Sequence, residues 1–276
     1  DRTGGCAGGA ARKGGILVPT VKEVESYLYE LAPRELAQSW DNVGLLIGAV
    51  EQPVKRVLVA LDITMQVVLE ARETGCDLIV SHHPVMNCAW HPVQSLRDDD
   101  LQGRLLRSLV QNQIAAICMH TNMDAAAGGV NDALAAALGL TNAAPVEANG
   151  IERIGTLPAS VPLEEFLTHV HHSLHPNGLR YVDGGYPVHR IAVGGGACGD
   201  FFVQASALGC DTFVTADVKY NQFLDAAELG LSLIDAGHFP TEDVICPVMV
   251  DALQRRFPDL EIMKSQQHQE VIRYFI

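Results

Sequence analysis

The chain has 276 residues, 48% hydrophobic and 19% charged, the balance of a folded globular protein rather than a disordered one. A formal net charge of −14 argues against direct nucleic-acid binding, which needs clustered Lys and Arg. No apolar run approaches the roughly eighteen residues of a membrane span, and no secretory h-region is present, so no membrane partner is expected.

In chain order, Asp1 to Gly15 is Gly- and Ala-rich and reads as a disordered tail or cloning remnant. Beyond it, apolar runs at 57–61, 78–80, 114–119, 191–193, 212–215 and 231–234 predict buried strands. Helical periodicity predicts helices over 21–31, 65–74, 100–111, 130–138, 163–174, 201–208, 221–228 and 244–257. Residues 266–276 read as a closing strand or hairpin arm. Such alternation indicates α/β (α+β layered) architecture, and the length favours two domains. The expected division is 16–128 plus 235–276 for the first domain and 129–234 for the second. The seven cysteines are scattered, odd in number and without a Cys-x-x-Cys pair, which fits a reducing cytoplasm.

An internal repeat supports two similar domains. Val57-Leu-Val-Ala-Leu and Gly75-Cys-Asp-Leu-Ile-Val80 correspond to Ile191-Ala-Val and Gly209-Cys-Asp-Thr-Phe-Val214, both at an offset of 134 without a gap. Within this register each polar cluster falls just past a strand, where open α/β sheets place their ligands. His82 and His83 follow one strand, and Ala216 and Asp217 hold the equivalent places. Another strand ends in His120-Thr-Asn-Met-Asp124, and its counterpart in Asp235-Ala-Gly-His238-Phe-Pro-Thr-Glu242.

The metal-ligand candidates are therefore His82, His83, Asp124, His238 and Glu242, with the metals between the two domains. Imidazole plus carboxylate suits Zn, Fe or Mn. Three neutral histidines and two carboxylates bring −2, so two divalent ions would leave +2 for water or a small anionic substrate to complete. A pair of ions roughly 3.5–4 Å apart clamps attacking and leaving oxygens. His238 and Glu242 are four apart with Pro240 in the first helical turn, placing both near one helix end. Glu242 would bridge the ions while His82 and His83 serve different ones. His120 and Asp235 are expected to orient the imidazoles.

Ser81-His-His-Pro84, His120-Thr-Asn-Met-Asp124, Trp40-Asp-Asn-Val-Gly-Leu45 and Asp235-Ala-Gly-His-Phe-Pro-Thr-Glu242 resemble the motifs of the NGG-interacting-factor-three-like proteins. These are often described as GTP cyclohydrolase I type 2 homologues. The resemblance runs from about Leu17 to Ile276 and implies a dinuclear metal centre between two α/β domains and a toroidal homohexamer. The family's ligand positions fall on the same five residues. Many relatives carry Gly-Asp and Tyr-His where this chain has Ala216-Asp217 and Tyr220-Asn221.

Other features compete with this reading. Gly194-Gly-Gly-Ala-Cys-Gly199 matches a dinucleotide fingerprint with Asp217 downstream. Its counterpart, Asp62-Ile-Thr64, has no glycine, which favours a tight turn at the site rim whose glycines could cradle a substrate phosphate. His169, His171, His172 and His175 lack an acidic partner on their helix face and read as a solvated surface. Trp40 reads as packing, Asp41 and Asn42 as facing the site, and Lys219 and Tyr220 as possible substrate contacts. The expected function is a metal-dependent hydrolase acting on a nucleotide-like or phosphate-containing substrate. The alternatives are a non-enzymatic hexamer that stores, delivers or regulates through metal, and a nucleotide-cofactor enzyme using Gly194–Gly199.

Overall fold

The computed structural model describes residues 18–88, 92–148 and 150–275. The tail expected at 1–15 lies outside them. Helix α1 (Val21–Leu31) opens on a capping box, in which Thr20 Oγ1 accepts from Glu23 N while the Glu23 carboxylate accepts from Thr20 N. Then follow β1 (Gly44–Ile47), β2 (Arg56–Ala60), α2 (Met65–Thr74), β3 (Leu78–Ser81), α3 (Leu101–Gln111), β4 (Ala115–Cys118) and α4 (Thr121–Ala125). The second half comprises α5 (Val130–Ala137), β5 (Thr141–Pro145), β6 (Arg153–Val161), α6 (Leu163–Leu174), β7 (Arg180–Val182), β8 (Val188–Val193) and α7 (Phe202–Ala207). It continues through β9 (Thr212–Thr215), α8 (Tyr220–Glu228), β10 (Ser232–Asp235) and α9 (His238–Glu242). The chain then returns to the first sheet through α10 (Ile245–Arg256) and β11 (Glu261–Lys264).

The strands form two sheets ordered β1-β4-β3-β2-β11 and β5-β6-β8-β9-β10-β7. Both contain a parallel triplet, β2-β3-β4 and β8-β9-β10, with an antiparallel strand beside its third member. Side chains alternate across these strands. Val57 and Val59 face α1 and α10, whereas Leu58 and Ala60 face α2 and α3. The second sheet lies between α5 with α6 and α7 with α8. Covering both faces explains why the parallel strands are continuous apolar runs.

The repeat has a hydrogen-bonding basis. Val57 pairs with Leu78 and Ile191 with Thr212, keeping the offset of 134 in the ladder itself. Gly75 and Gly209 end their helices at φ 68° and 77°, in the left-handed region where glycine carries no Cβ penalty. The Asp77 carboxylate accepts from Lys55 N and Arg56 N, and Asp211 accepts from His189 N and Arg190 N. Cys76 and Cys210 are buried between. Each residue of Gly-Cys-Asp thus has one job, done twice.

Two expectations change. Residues 266–275 form no strand, and Ile276 lies outside the described residues. The closing strand is β11, whose ladder with β2 ends at Ser265 N to Val59 O. The Glu70 carboxylate then accepts from Gln266 N and Gln267 N, turning the backbone away from the sheet. Four strands outside the parallel triplets, β1, β5, β6 and β7, lacked a strong apolar signal because they are short or partly exposed.

Arg153 joins the halves. Its guanidinium is buried and donates to the carbonyls of Ala125 and Ala126 at the end of α4, to Gly150 and Ile151 carbonyls, and to Asp132 Oδ1. A cation there satisfies carbonyls that α4 cannot. Replacing Arg153 with Ala is expected to cost about 3–5 kcal/mol, the scale for breaking a buried charge network. Urea unfolding followed by circular dichroism would measure it.

Candidate metal centre

The ends of the parallel triplets converge. After β3 the chain curls, with His82 N donating to Ala60 O, His83 N to Leu61 O, and Ser81 Oγ to His83 O. Strand alternation stops there, and the two adjacent rings lie 4.9 Å apart at 48°. His120 follows β4 and Asp124 sits on α4. On the other side, α9 carries His238 and Glu242, whose Nε2 and Oε2 are 3.0 Å apart across one helical turn. The second-half groups repeat the first with an offset of 117, since α4 spans 121–125 and α9 spans 238–242.

Every imidazole in this cluster is held through Nδ1. His82 Nδ1 contacts Met119 O at 2.8 Å, His83 contacts Asp62 Oδ1 at 2.8 Å, His120 contacts Asp41 Oδ1 at 2.9 Å, and His238 contacts Asp217 Oδ2 at 2.7 Å. A carbonyl only accepts, so His82 carries its proton on Nδ1 and presents a lone pair at Nε2. His83 and His238 Nε2 face each other at 3.3 Å. Glu242 Oε2 lies 2.9 Å from the first and 3.0 Å from the second, so both nitrogens are aimed at one region where a cation could take their lone pairs.

The donor atoms form overlapping groups. His83, His238 and Glu242 form one, and His82, Asp124 and Glu242 another, each with ligand atoms within 4.8 Å. His82, His83 and His120 form a third. Glu242 Oε2 lies 2.9 Å from His83 Nε2 and 3.8 Å from His82 Nε2. His82 Nε2, Asp124 Oδ1 and Glu242 Oε2 are buried without a hydrogen-bond partner of acceptable geometry, despite those short separations. Unpaired buried polar atoms are costly, and a set of nitrogen and carboxylate donors aimed at common points fits a metal.

The electrostatics follow from burial and neighbours. Burial pushes His82 down to about 3, keeping it neutral despite Glu242. Burial also pushes His83 and His238 down, but the carboxylates at both nitrogens prevail, raising them to about 10 and about 11. Burial raises Asp124 well above the carboxylate range, with Glu242 adding repulsion. Glu242 is held well below that range, because His238 and His83 overcome its desolvation. In Asp41, hydrogen bonds from His120 and Thr121 likewise outweigh burial and hold it at about 2.

The structure brings together all five sequence candidates and adds His120 to the donor cluster. Asp41 orients His120, whose ring stands edge-on to those of His82 and His83 at 5.1 and 5.4 Å. Asp235 bonds instead to Arg180, Val218 N and Gly237 N, fastening the loops that carry Asp217 and His238. The groups that orient imidazoles are Asp41, Asp62 and Asp217. Asn42 turns away to Met86 O, and Trp40, half-exposed, meets His120 edge-on instead of packing inside. Lys219, Tyr220 and Asn221 are exposed and do not line the cavity over the cluster. His169, His171, His172 and His175 are exposed on and beside α6, as expected.

Gly194–Gly199 is a rim turn. Gly195 N donates to Asn131 Oδ1 and Gly196 N to Thr241 Oγ1, so these amides are already used and cradle no phosphate. Gly196, at φ +63°, lies against Glu242, and a Cβ there would run into Oε1.

Fold and donor set together define a two-sheet α/β protein with a buried histidine–carboxylate cluster at the junction of its halves. The profile of the Duf34/NIF3 (NGG1p interacting factor 3) family matches residues 19–270, and the chain belongs to that family. It is 32% identical over 262 residues to the GTP cyclohydrolase 1 type 2 homolog of Clostridium perfringens, covering 92% of this chain and 99% of the relative. It is 32% identical over 237 residues to the GTP cyclohydrolase 1 type 2 of Helicobacter pylori J99, covering 84% and 91%. The solved Bacillus cereus protein related to NIF3 superposes with a TM-score of 0.86 at 26% identity, covering 94% of this chain and 99% of that one. No helix among the described residues is long and apolar enough to cross a membrane.

Gly196→Ala is expected to displace Glu242 and reduce metal uptake. Gly209→Ala, also at positive φ but with nothing near the added carbon, should cost only about 1–2 kcal/mol and leave uptake intact. Elemental analysis of both purified variants checks the contrast.

Proposed function

We propose that the chain binds two divalent ions, Zn, Fe or Mn, through His82, His83, Asp124, His238 and Glu242, and hydrolyses a nucleotide-like or phosphate-containing substrate. The observation that carries this reading is the convergence of Nδ1-anchored imidazoles on Glu242, whose Oε2 approaches His83, His238 and His82. His83, His238 and Glu242 would hold one ion, and His82, Asp124 and Glu242 the other. Such ions, when bound, polarise a substrate oxygen and lower the pKa of water. The protein's own work is to orient the donors; His83 and His238 carry protons in the metal-free chain that a cation would displace. Asp62 and Asp217 keep the Nδ1 protons of His83 and His238 outward, and burial keeps His82 neutral. The names of the Clostridium and Helicobacter relatives make GTP ring hydrolysis one candidate reaction. We further propose the two-domain division at 129 and 235 and assembly as a toroidal homohexamer.

Elemental analysis is expected to find close to two ions per chain, lost together in a His82→Ala, His238→Ala variant. Retention there would defeat the assignment. Loaded protein should turn over GTP or a member of a phosphodiester panel; inertness toward all would favour metal storage or delivery.

Metal uptake should release protons at neutral pH, because His83 and His238 are raised to about 10 and about 11 in the metal-free chain. Affinity therefore rises with pH across the neutral range. Calorimetry in buffers of different ionisation enthalpy reads the release directly. Asp217→Asn, which weakens one anchor, should lower affinity roughly 10–100-fold in a chelator competition.

A further inference from the structure

Over the cluster lies a cavity of about 680 Å³, within the range of small-molecule sites. Its floor is polar and its upper walls are apolar. Trp40, Leu61, Ile151 and Phe239 contribute from the body, and Val271 and Ile272 from the C-terminal segment. Trp40, Val271 and Ile272 keep 51%, 83% and 49% of their surfaces exposed, so an occupant has apolar area left to cover.

The C-terminal wall is built in place. The Glu70 carboxylate accepts from Ser265 Oγ, Gln266 N and Gln267 N. His268 Nε2 contacts Asp62 Oδ2 at 2.9 Å, and Asn177 Nδ2 donates to Ile272 O at 2.7 Å. The Tyr274 ring then packs on Gly178, where a Cβ would meet it at 2.8 Å. Val271 and Ile272 are thereby pinned between an anchor in each half.

Charge restricts the occupant. Among the described residues lining the cavity there is no Lys or Arg. Asp41, Asp62, Asp124, Asp217 and Glu242 set five carboxylates against the four positive charges of two divalent ions, leaving one negative. Glu270, at the rim, adds another. The +2 surplus counted from the five ligands alone is cancelled by the anchoring aspartates. A fully ionised triphosphate would enter a cavity without a compensating side chain.

We propose that this cavity takes a planar heteroaromatic ring of low charge, at the level of a nucleoside rather than a nucleoside triphosphate, against the walls formed by Trp40 and Val271–Ile272. The proposal rests on the dinuclear reading above and narrows its substrate class. An aromatic face supports a base by stacking, without sequence of charge or phosphate recognition.

The test is equilibrium binding to metal-loaded full-length protein, measured calorimetrically with guanosine and with GTP after metal content has been determined. Guanosine is expected to bind at least tenfold more tightly than GTP. Trp40→Ala and a Val271→Ser, Ile272→Ser double variant should each weaken guanosine roughly tenfold with metal content unchanged. Tighter binding of GTP, absence of guanosine binding, or variants without effect would overturn the proposal. So would a shift in the oligomer mass of the double variant with guanosine binding intact, because Val271 and Ile272 would then belong to a subunit contact. A chain that takes up no metal would overturn the centre itself, and this proposal with it, a result the metal analysis separates from a failure of the cavity.

Discussion

Nδ1 anchoring is the constraint on which the centre depends. A histidine ring has two nitrogens, and engaging one with an acceptor decides what the other presents. Here Met119 O, Asp62, Asp41 and Asp217 take the Nδ1 side of four rings drawn from two strand ends and one helix. Rotation about χ2 is thereby stopped, and the opposing nitrogens of His83 and His238 are brought to 3.3 Å. In the metal-free chain the Glu242 carboxylate, 2.9 Å from one nitrogen and 3.0 Å from the other, supports that approach. The packed sheets on either side hold the rings in place.

Duplication supplies the frame and divergence supplies the chemistry. The halves share their strand register, their Gly-Cys-Asp turns and a short helix after the third strand. At equivalent positions they differ in what they offer. His83 answers to Asp217, a candidate ligand in one half and the group orienting a candidate ligand, His238, in the other. Asp124 answers to Thr241, whose hydroxyl accepts from Gly196 N and seats the glycine turn against Glu242. Neither half holds a complete donor set. The cluster exists only where the two sheets' ends meet, and Arg153 helps keep them together by capping α4 from the second half.

Much of this was legible in the sequence because its causes are local. Helices α1, α2 and α6 end where apolar periodicity, capping residues and turn signals place them. The five candidate ligands could be picked out because ligand-bearing loops follow buried apolar strands, whose ends are easy to read. The anchors were not legible in the same way. Asp41 meets His120 across 79 residues and Asp62 meets His268 across 206, and no pattern within a window reports such pairs. His120 looked like support because its role depends on Asp41 already occupying Nδ1. The glycine turn matched a phosphate-binding pattern, but its amides are consumed by Asn131 and Thr241, two residues whose positions are set by other helices. Residues 266–275 read as a strand arm, but the N–H groups of Gln266 and Gln267 go to the Glu70 carboxylate instead of a ladder.

Asp62 gives the C-terminal segment a connection to the centre. One of its oxygens meets His83 and the other meets His268, so one carboxylate sets both an imidazole beneath the cavity and the start of the wall above it. Burial opposes its ionisation, but the hydrogen bonds from His268 and His83 hold it well below the usual carboxylate range. Turning the carboxylate to improve one contact would lengthen the other, because its two oxygens are rigidly related. Donor geometry and wall position are therefore not independent variables in this protein. Residues 266–272 and His83 are thus connected through a single side chain.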